Sequence, residues 1–230
     1  MAFWQVQPKT SKRRWFLLHL AMPTLNPQPK PHFRREKSLA AKGLWPIAGI
    51  DEAGRGPLAG PVAAAAVVLD PRNLPKGLND SKLLPPYVRE QLFEEIMRRA
   101  IAVAVAFSSA AEIDRINIRQ ATLCAMRRAL AALSVSPTYV LVDGNDLPES
   151  LLCAGETIIG GDGSSLSIAA ASIVAKVTRD RTMRRLCQHH PQYGFSQHFG
   201  YATKAHRAAI ELHGPSPFHR MSFSPFVIRY

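Results

Sequence analysis

The chain has 230 residues, 47% of them apolar, which is enough for one packed α/β domain with a tail. Its 29 Lys/Arg against 17 Asp/Glu give a net charge of +12, which favours polyanionic partners. Cys124, Cys153 and Cys187 show no CxxC or Cys/His spacing. That argues against a disulfide framework and structural zinc and for a reducing cytoplasm, and no run approaches the roughly 20 apolar residues of a membrane span.

The charge is uneven. Residues 1–45 hold nine Lys/Arg and one acid (Glu36), a net of +8, whereas the remainder holds 20 basic and 16 acidic residues, a net of +4. Lys12-Arg13-Arg14, four prolines between Pro23 and Pro31, and Arg34-Arg35 mark residues 1–44 as a basic, disordered N-terminal extension. A short apolar run, Trp15 to Met22, follows the first basic cluster and mimics a secretory signal, but no small-residue cleavage pattern comes after it. An organelle transit peptide, or translation from Met22, are alternative readings; a solvated basic tail is the simplest. The folded domain is expected over 45–230.

From Trp45 the pattern turns regular. Ile47–Asp51 and Val62–Leu69 read as successive, antiparallel strands. Pro85-Pro86 open a helix whose Val88, Leu92 and Ile96 recur on one face. Ile101–Phe107 reads as a buried strand. A short helix over Ala110–Ile116 precedes a longer one capped by Asn117. Tyr139–Val142 is a strand that ends at Asp143-Gly144, and Thr157–Ile159 is another that a glycine-rich turn breaks. A long helix runs from Leu166 to about Gln188, small-sided in its first half and basic in its second. A last helix, Ala205 to His213, stops at Gly214. Strands alternating with helices imply an α/β domain around a mixed sheet.

Three carboxylates, Asp51, Glu52 and Asp143, fall at expected strand ends, and Asp162 falls in the turn Gly160–Ser165. Strand ends along one sheet edge are where an α/β fold gathers a site. Crowded carboxylates stay ionised only beside a cation. Oxygen ligands without a converging His/Cys set favour Mg²⁺ or Mn²⁺, and two such ions would support phosphodiester hydrolysis. One tension stands: consecutive strand residues face opposite ways, so Asp51 and Glu52 share a site only if the strand ends there. Gly54-Arg55-Gly56 follows at once. Its glycines do not form a dinucleotide fingerprint, because the third comes one residue late and a strand follows. They allow close backbone approach, and Arg55 brings charge for a phosphate. Tyr201 offers a ring for a sugar or base, with a half-buried core role as the plain alternative. Ser81-Lys82 is either a phosphate clamp or a surface turn. Nothing singles out His198, His206 or His219 as more than structural. Asp180 reads as a local ion-pair partner.

Several stretches together resemble ribonuclease HII, the type 2 ribonuclease H family. They are Ile50 to Val62 (IDEAGRGPLAGPV), Asn79 to Leu83, Val142-Asp143-Gly144, Ala169 to Asp180 (AAASIVAKVTRD), Tyr193-Gly194-Phe195 with His198, Gly200-Tyr201 through His206, and His219 to Phe223. The resemblance covers about residues 46–225 in order. It implies a ribonuclease H-like fold, a central mixed β-sheet flanked by helices. It implies endonucleolytic cleavage of RNA in RNA–DNA hybrids and cutting on the 5′ side of single ribonucleotides in duplex DNA, leaving a 3′-hydroxyl and a 5′-phosphate. It also implies Asp51, Glu52, Asp143 and Asp162 as metal-binding acids for two Mn²⁺ or Mg²⁺ ions. The substrate contacts implied are Gly54, Arg55 and Gly56 at the ribonucleotide, Ser81 and Lys82 at phosphate, and Tyr201 on the next sugar. The enzyme is expected to be a cytoplasmic monomer acting on nucleic acid, without membrane contact. Three departures stand out: Gly160 replaces a lysine usual in the family, Leu83 replaces a second lysine, and the chain ends soon after the His219 motif. The competing readings are another two-metal nuclease of this fold without 2′-hydroxyl specificity, and a non-catalytic nucleic-acid-binding module.

Overall fold

The structure is a computed structural model and describes residues 30–226. Five strands form one mixed sheet in the order β3-β2-β1-β4-β5. β1 (Ile47–Ala53) pairs antiparallel with β2 (Val62–Val68), which pairs antiparallel with β3 (Ala102–Ser108). On its other side β1 runs parallel to β4 (Tyr139–Asp143), and β4 runs parallel to β5 (Ala154–Ile158). The expected antiparallel start and mixed sheet are therefore present. β5 begins three residues earlier than its sequence indicates. Its pairing with β4, from Tyr139↔Ala154 to Asp143↔Ile158, defines it where apolar alternation is absent.

Helices cover both faces. α2 (Pro86–Arg99) and α4 (Leu166–His189) pack on one, burying Leu92, Ile96, Ile173 and Val174 against Ala65 and Val67. α3 (Ala110–Ala131) covers the other, where Ala125, Met126 and Ala129 meet Ala64, Ala66, Val140 and Val142. The alternation of β2, odd residues to one layer and even to the other, is the two-residue period of a strand buried on both faces. α3 is kinked where the break is expected: Asn117 is non-helical, with a positive φ of 66°, and its side chain accepts from Gln120 N at 3.0 Å, capping the second segment as the sequence indicates.

The boundary at residue 45 is corrected. Residues 32–44 belong to the domain: α1 (Arg34–Ala40) carries Phe33 and Leu39 into the core, Leu39 against Ile47, Leu141 and Ile168. The apolar spacing Phe33, Leu39, Ala40 is hidden among Arg34, Arg35 and Lys37, so charge masks a one-sided helix. The basic cluster at 12–14, the apolar run to Met22 and most of the proline-rich patch lie outside the described residues.

The small-sided half of α4 has the consequence its composition suggests. A Cβ on Gly49 of β1 would stand 2.1 Å from the Ser167 carbonyl carbon, so helix and strand backbones touch there. Overpacking usually costs about 1–3 kcal/mol. Because the obstacle here is backbone, Gly49→Ala is expected at the upper end of that range, about 3 kcal/mol, read as a lowered urea midpoint.

Candidate active site

β1 and β4 are parallel neighbours, with Ile50 opposite Val142. One step further along each strand, Asp51 and Asp143 stand side by side on the face toward α4, at the C-terminal sheet edge. β4 ends at Asp143, and after β5 the chain makes a tight 3₁₀ turn over Gly161–Gly163 that carries Asp162. Gly161 N donates to Asp143 Oδ1 at 2.7 Å, tying that turn to the strand end. One carboxylate oxygen each from Asp51, Asp143 and Asp162 lies within 4.8 Å of the others. Asp51 and Asp162 are buried and Asp143 is half-buried.

Burial, then the negative charges of Glu52 and Asp143, pushes Asp51 well above the usual carboxylate range. Asp162 is raised by burial and then by Asp143. Glu52 is raised by burial and Asp143, against the pull of Arg55. For Lys82, burial works downward, but Asp80, Asp162 and Asp51 outweigh it and hold the ammonium charged. It lies 3.5 Å from Asp162 Oδ2. Desolvated acids that repel one another form a donor set that a divalent cation relieves. An all-oxygen set fits a hard ion, so the residues present fit a metal site.

A cleft of about 240 Å³ opens beside the acids. It is lined by Asp51, Glu52, Asp143, Ser81, Lys82, the Gly54–Gly56 loop and Tyr201, so nine of the ten predicted site residues share it. Asp162 does not line it but closes the acid trio from behind. Glu52 stands outside the trio. It lies where β1 ends at Ala53 and Gly54 turns with φ 94°, which lets consecutive acids share one hollow. Glu52, Arg55 and Asp143 also border a second hollow toward α3, with Arg119 and Asp146. The Ser81 hydroxyl is buried and accepts from Ser172 Oγ at 2.8 Å. Tyr201 is 47% exposed and stands over the glycine loop; a Cβ on Gly56 would lie 3.8 Å from its ring.

Sequence reasoning missed what holds that loop. Arg220 is fully buried and donates to the carbonyls of Gly54 at 2.6 Å, Arg55 at 2.8 Å and Gly60 at 3.0 Å. Arg179, in the basic second half of α4, points inward and donates to Pro61, Ala59 and Phe199 carbonyls. Gly54 is glycine because a Cβ there would fall 1.8 Å from Arg179 Nε. Burial pushes Arg220 down to about 9, still charged at neutral pH. The signal was available only in part: Arg179 sits on the same turn as Asp180, and that acid pairs with Lys176 at 2.8 Å, leaving the guanidinium to the carbonyls.

The three histidines also resolve. His219 Nδ1 accepts from Ser216 N at 2.8 Å, so its proton is on Nε2, directed at His206 Nε2 at 3.0 Å. His206 then carries its proton on Nδ1 and donates to the Tyr201 carbonyl at 2.9 Å. His198 accepts from Gly200 N and donates to the Tyr193 carbonyl. All three are neutral struts of the segment that bears Tyr201. None is a free acid.

The trio of acids, the buried-arginine loop and the mixed five-stranded sheet define a metal-dependent nuclease of the ribonuclease H-like fold. The ribonuclease HII family profile matches residues 48–225. The ribonuclease HII of Sinorhizobium medicae is 59% identical over 198 residues, 86% of this chain and 91% of that protein. That of Nitrobacter hamburgensis is 54% identical over 221 residues, 93% and 82%. Among solved structures, the ribonuclease H2 of Pyrococcus horikoshii superposes with a TM-score of 0.67 at 27% identity, over 78% of this chain and 94% of that one. The ribonuclease HII of Archaeoglobus fulgidus, solved in a complex with PCNA, gives 0.65 at 29%, over 80% and 96%. A Bst ribonuclease HIII solved with Mn²⁺ shares the fold, with a TM-score of 0.63 at 20% identity over 82% of this chain and 70% of that one. The chain belongs to the ribonuclease HII family, whose members are metal-dependent endoribonucleases.

Two measurements follow from the loop and its struts. Arg220→Lys keeps the charge but cannot span three carbonyls, and each charge-assisted bond lost costs about 1.5–3 kcal/mol. A lowered urea midpoint equivalent to about 2–3 kcal/mol is expected. Burial, then His206 and His198, pushes His219 down from 6.5 to about 4. His206 is lowered by burial and His198. The unfolded chain therefore takes up protons that the folded one refuses. The stabilising effect is whole above about pH 6.5 and is lost as pH falls toward 4. At roughly 1.4 kcal/mol per unit, His219 alone forfeits about 2 kcal/mol by pH 5. The raised carboxylates act in the opposite direction. The comparison is therefore between wild type and His219→Gln: the variant's urea midpoint should fall less steeply from pH 7.5 to 5.

Proposed function

We propose that the protein hydrolyses the RNA strand of RNA–DNA hybrids and cuts on the 5′ side of single ribonucleotides embedded in duplex DNA, leaving a 3′-hydroxyl and a 5′-phosphate. One observation carries this reading: Asp51 and Asp143 at adjacent strand ends, joined into a trio by Asp162 of the turn after β5, border a cleft whose other wall is a Gly-Arg-Gly loop beside an exposed tyrosine. Asp51, Asp143 and Asp162, with Glu52 beside them, would hold Mn²⁺ or Mg²⁺, two ions in the working enzyme. When bound, such ions supply the Lewis-acid charge that phosphodiester hydrolysis requires.

The chain's own groups do the rest. Arg55 is half exposed, and its weak 3.4 Å contact with Glu52 leaves it able to turn to a phosphate. Among the described residues no acceptor takes the Arg55 or Gly56 amide, while Arg220 holds the carbonyls of Gly54 and Arg55 inward. Amides directed outward from a fixed loop suit a 2′-hydroxyl and its flanking phosphate, and a 2′-hydroxyl is what marks a ribonucleotide within DNA. Tyr201 is tied to the same loop by the Leu58 N to Gly200 O bond of 2.8 Å, so its ring lies ready for the adjoining deoxyribose. Lys82 reaches the cleft from the opposite side, where Gly160 leaves Asp162 without the family's usual lysine. We further propose a monomer working in the cytoplasm, in keeping with three unpaired cysteines. No helix among the described residues is long and apolar enough to cross a membrane.

The test uses a duplex with one embedded ribonucleotide and its all-DNA twin, each with Mn²⁺. The first should be cut and the second left intact, and equal cutting of both would refute 2′-hydroxyl recognition. Asp143→Asn should reduce cleavage by more than about 100-fold, beyond the 10–100-fold carried by outer partners of a metal site. A folded Asp143→Asn protein of wild-type activity would remove the metal reading.

A further inference from the structure

Glu36 lies outside the cleft, on a segment whose sequence reads as a tail, and its carboxylate is 0% exposed. It meets no cation. Its Oε1 accepts from Ser165 Oγ at 2.7 Å and from Ser167 N at 3.1 Å, and Oε2 has no partner among the described residues. A buried carboxylate without a cation is costly to keep, so what it holds matters. Ser165 is the N-cap of α4, where its Oγ accepts from Ile168 N at 3.3 Å. Ser167 N is one of the unpaired amides of that helix's first turn. Glu36 thus brings a negative charge to the positive end of α4 from another element.

The residues it grips come three and five positions after Asp162. The turn Gly161–Gly163 runs into Ser164 and Ser165, whose amides both return to Gly161 O, at 3.0 and 2.8 Å. His32 N donates to Ser164 O at 3.1 Å, four residues before Glu36. The Asp162 turn is accordingly fastened twice. Gly161 is pinned to Asp143 at its front, and Ser164, Ser165 and Ser167 are pinned to the N-terminal segment at its back. Among the described residues, Asp162 itself receives only the 3.5 Å contact of Lys82, whose side chain is 76% exposed. Little else sets where its carboxylate stands.

We propose that Glu36 is a positioning residue for Asp162: through Ser165 and the first turn of α4 it sets the third acid of the trio at its distance from Asp51 and Asp143. This rests on the metal-site reading above. The segment around α1 is then a working part of the active site rather than an appendage.

The decisive measurement is Mn²⁺ binding to the metal-free full chain by calorimetry, with the urea midpoint recorded beside it. Glu36→Ala is expected to weaken Mn²⁺ binding about tenfold and to raise by a similar factor the Mn²⁺ needed for half-maximal cleavage, with KM for the nucleic acid unchanged. Glu36→Gln keeps the Oε1 acceptor and is expected within about threefold of wild type. A folded Glu36→Ala protein that loses only stability, with wild-type Mn²⁺ binding, overturns the proposal. Should Glu36→Ala fail to fold, Ser165→Ala decides in its place: about threefold weaker Mn²⁺ binding is expected, and unaltered binding overturns it. Asp162→Asn runs alongside. If it binds Mn²⁺ like wild type, the metal-site reading falls and the positioning with it. Weakened binding in Asp162→Asn with none in Glu36→Ala sinks the positioning alone.

Discussion

The contact between the backbones of α4 and β1 at Gly49 is the constraint from which the site follows. With no side chain between them, the helix lies flush on the sheet, and the alanines and serines of its first half are what permit it. The helix start then stands beside the strand ends, which is why the Asp162 turn can reach Asp143. One stripe of the helix, Ser172, Lys176 and Arg179, borders the acid cleft. A thicker interface would move this whole stripe outward and separate the third acid from the other two.

The glycine-loop wall of the cleft is built on a different principle. Two buried guanidiniums, Arg179 and Arg220, are satisfied by six backbone carbonyls and, among the described residues, by no carboxylate. Carbonyl partners fix a loop as firmly as acids would, yet they leave the positive charge uncancelled. Beside a cleft proposed to take a polyanion that is the useful choice, since an acid under the loop would repel a phosphate brought above it. The histidines obey the same economy: each donates from one ring nitrogen and accepts at the other in a single tautomer, so the Tyr201 segment is held by neutral groups that add no charge of their own.

The two walls therefore carry opposite electrostatics at close range. On one side, acids are desolvated and repel each other until a cation joins them. On the other, cations are buried and remain partly unanswered until an anion arrives. A metal ion and a phosphodiester together would satisfy both, as the proposed function requires.

Much of this was legible in the chain itself. The strand-end acids, the glycine loop with Arg55, and Tyr201 can be read from residue type and local spacing, because strand ends and tight turns leave short-range marks. Asn117 as a helix cap and Asp180 as an ion-pair partner could be read in the same way. Three things could not. The α1 segment is obscured by its own surface charge. Arg179 and Arg220 look like solvent-facing cations until the fold turns them inward, toward carbonyls more than 100 residues away. Glu36 lies 129 residues from Ser165, and nothing local to either announces the bond. Side-chain type and period thus marked the candidate acids, the glycine loop and the tyrosine. Only the tertiary structure decided which buried charges hold them in place, because those partners are backbone atoms, and a backbone carbonyl reads the same in every sequence.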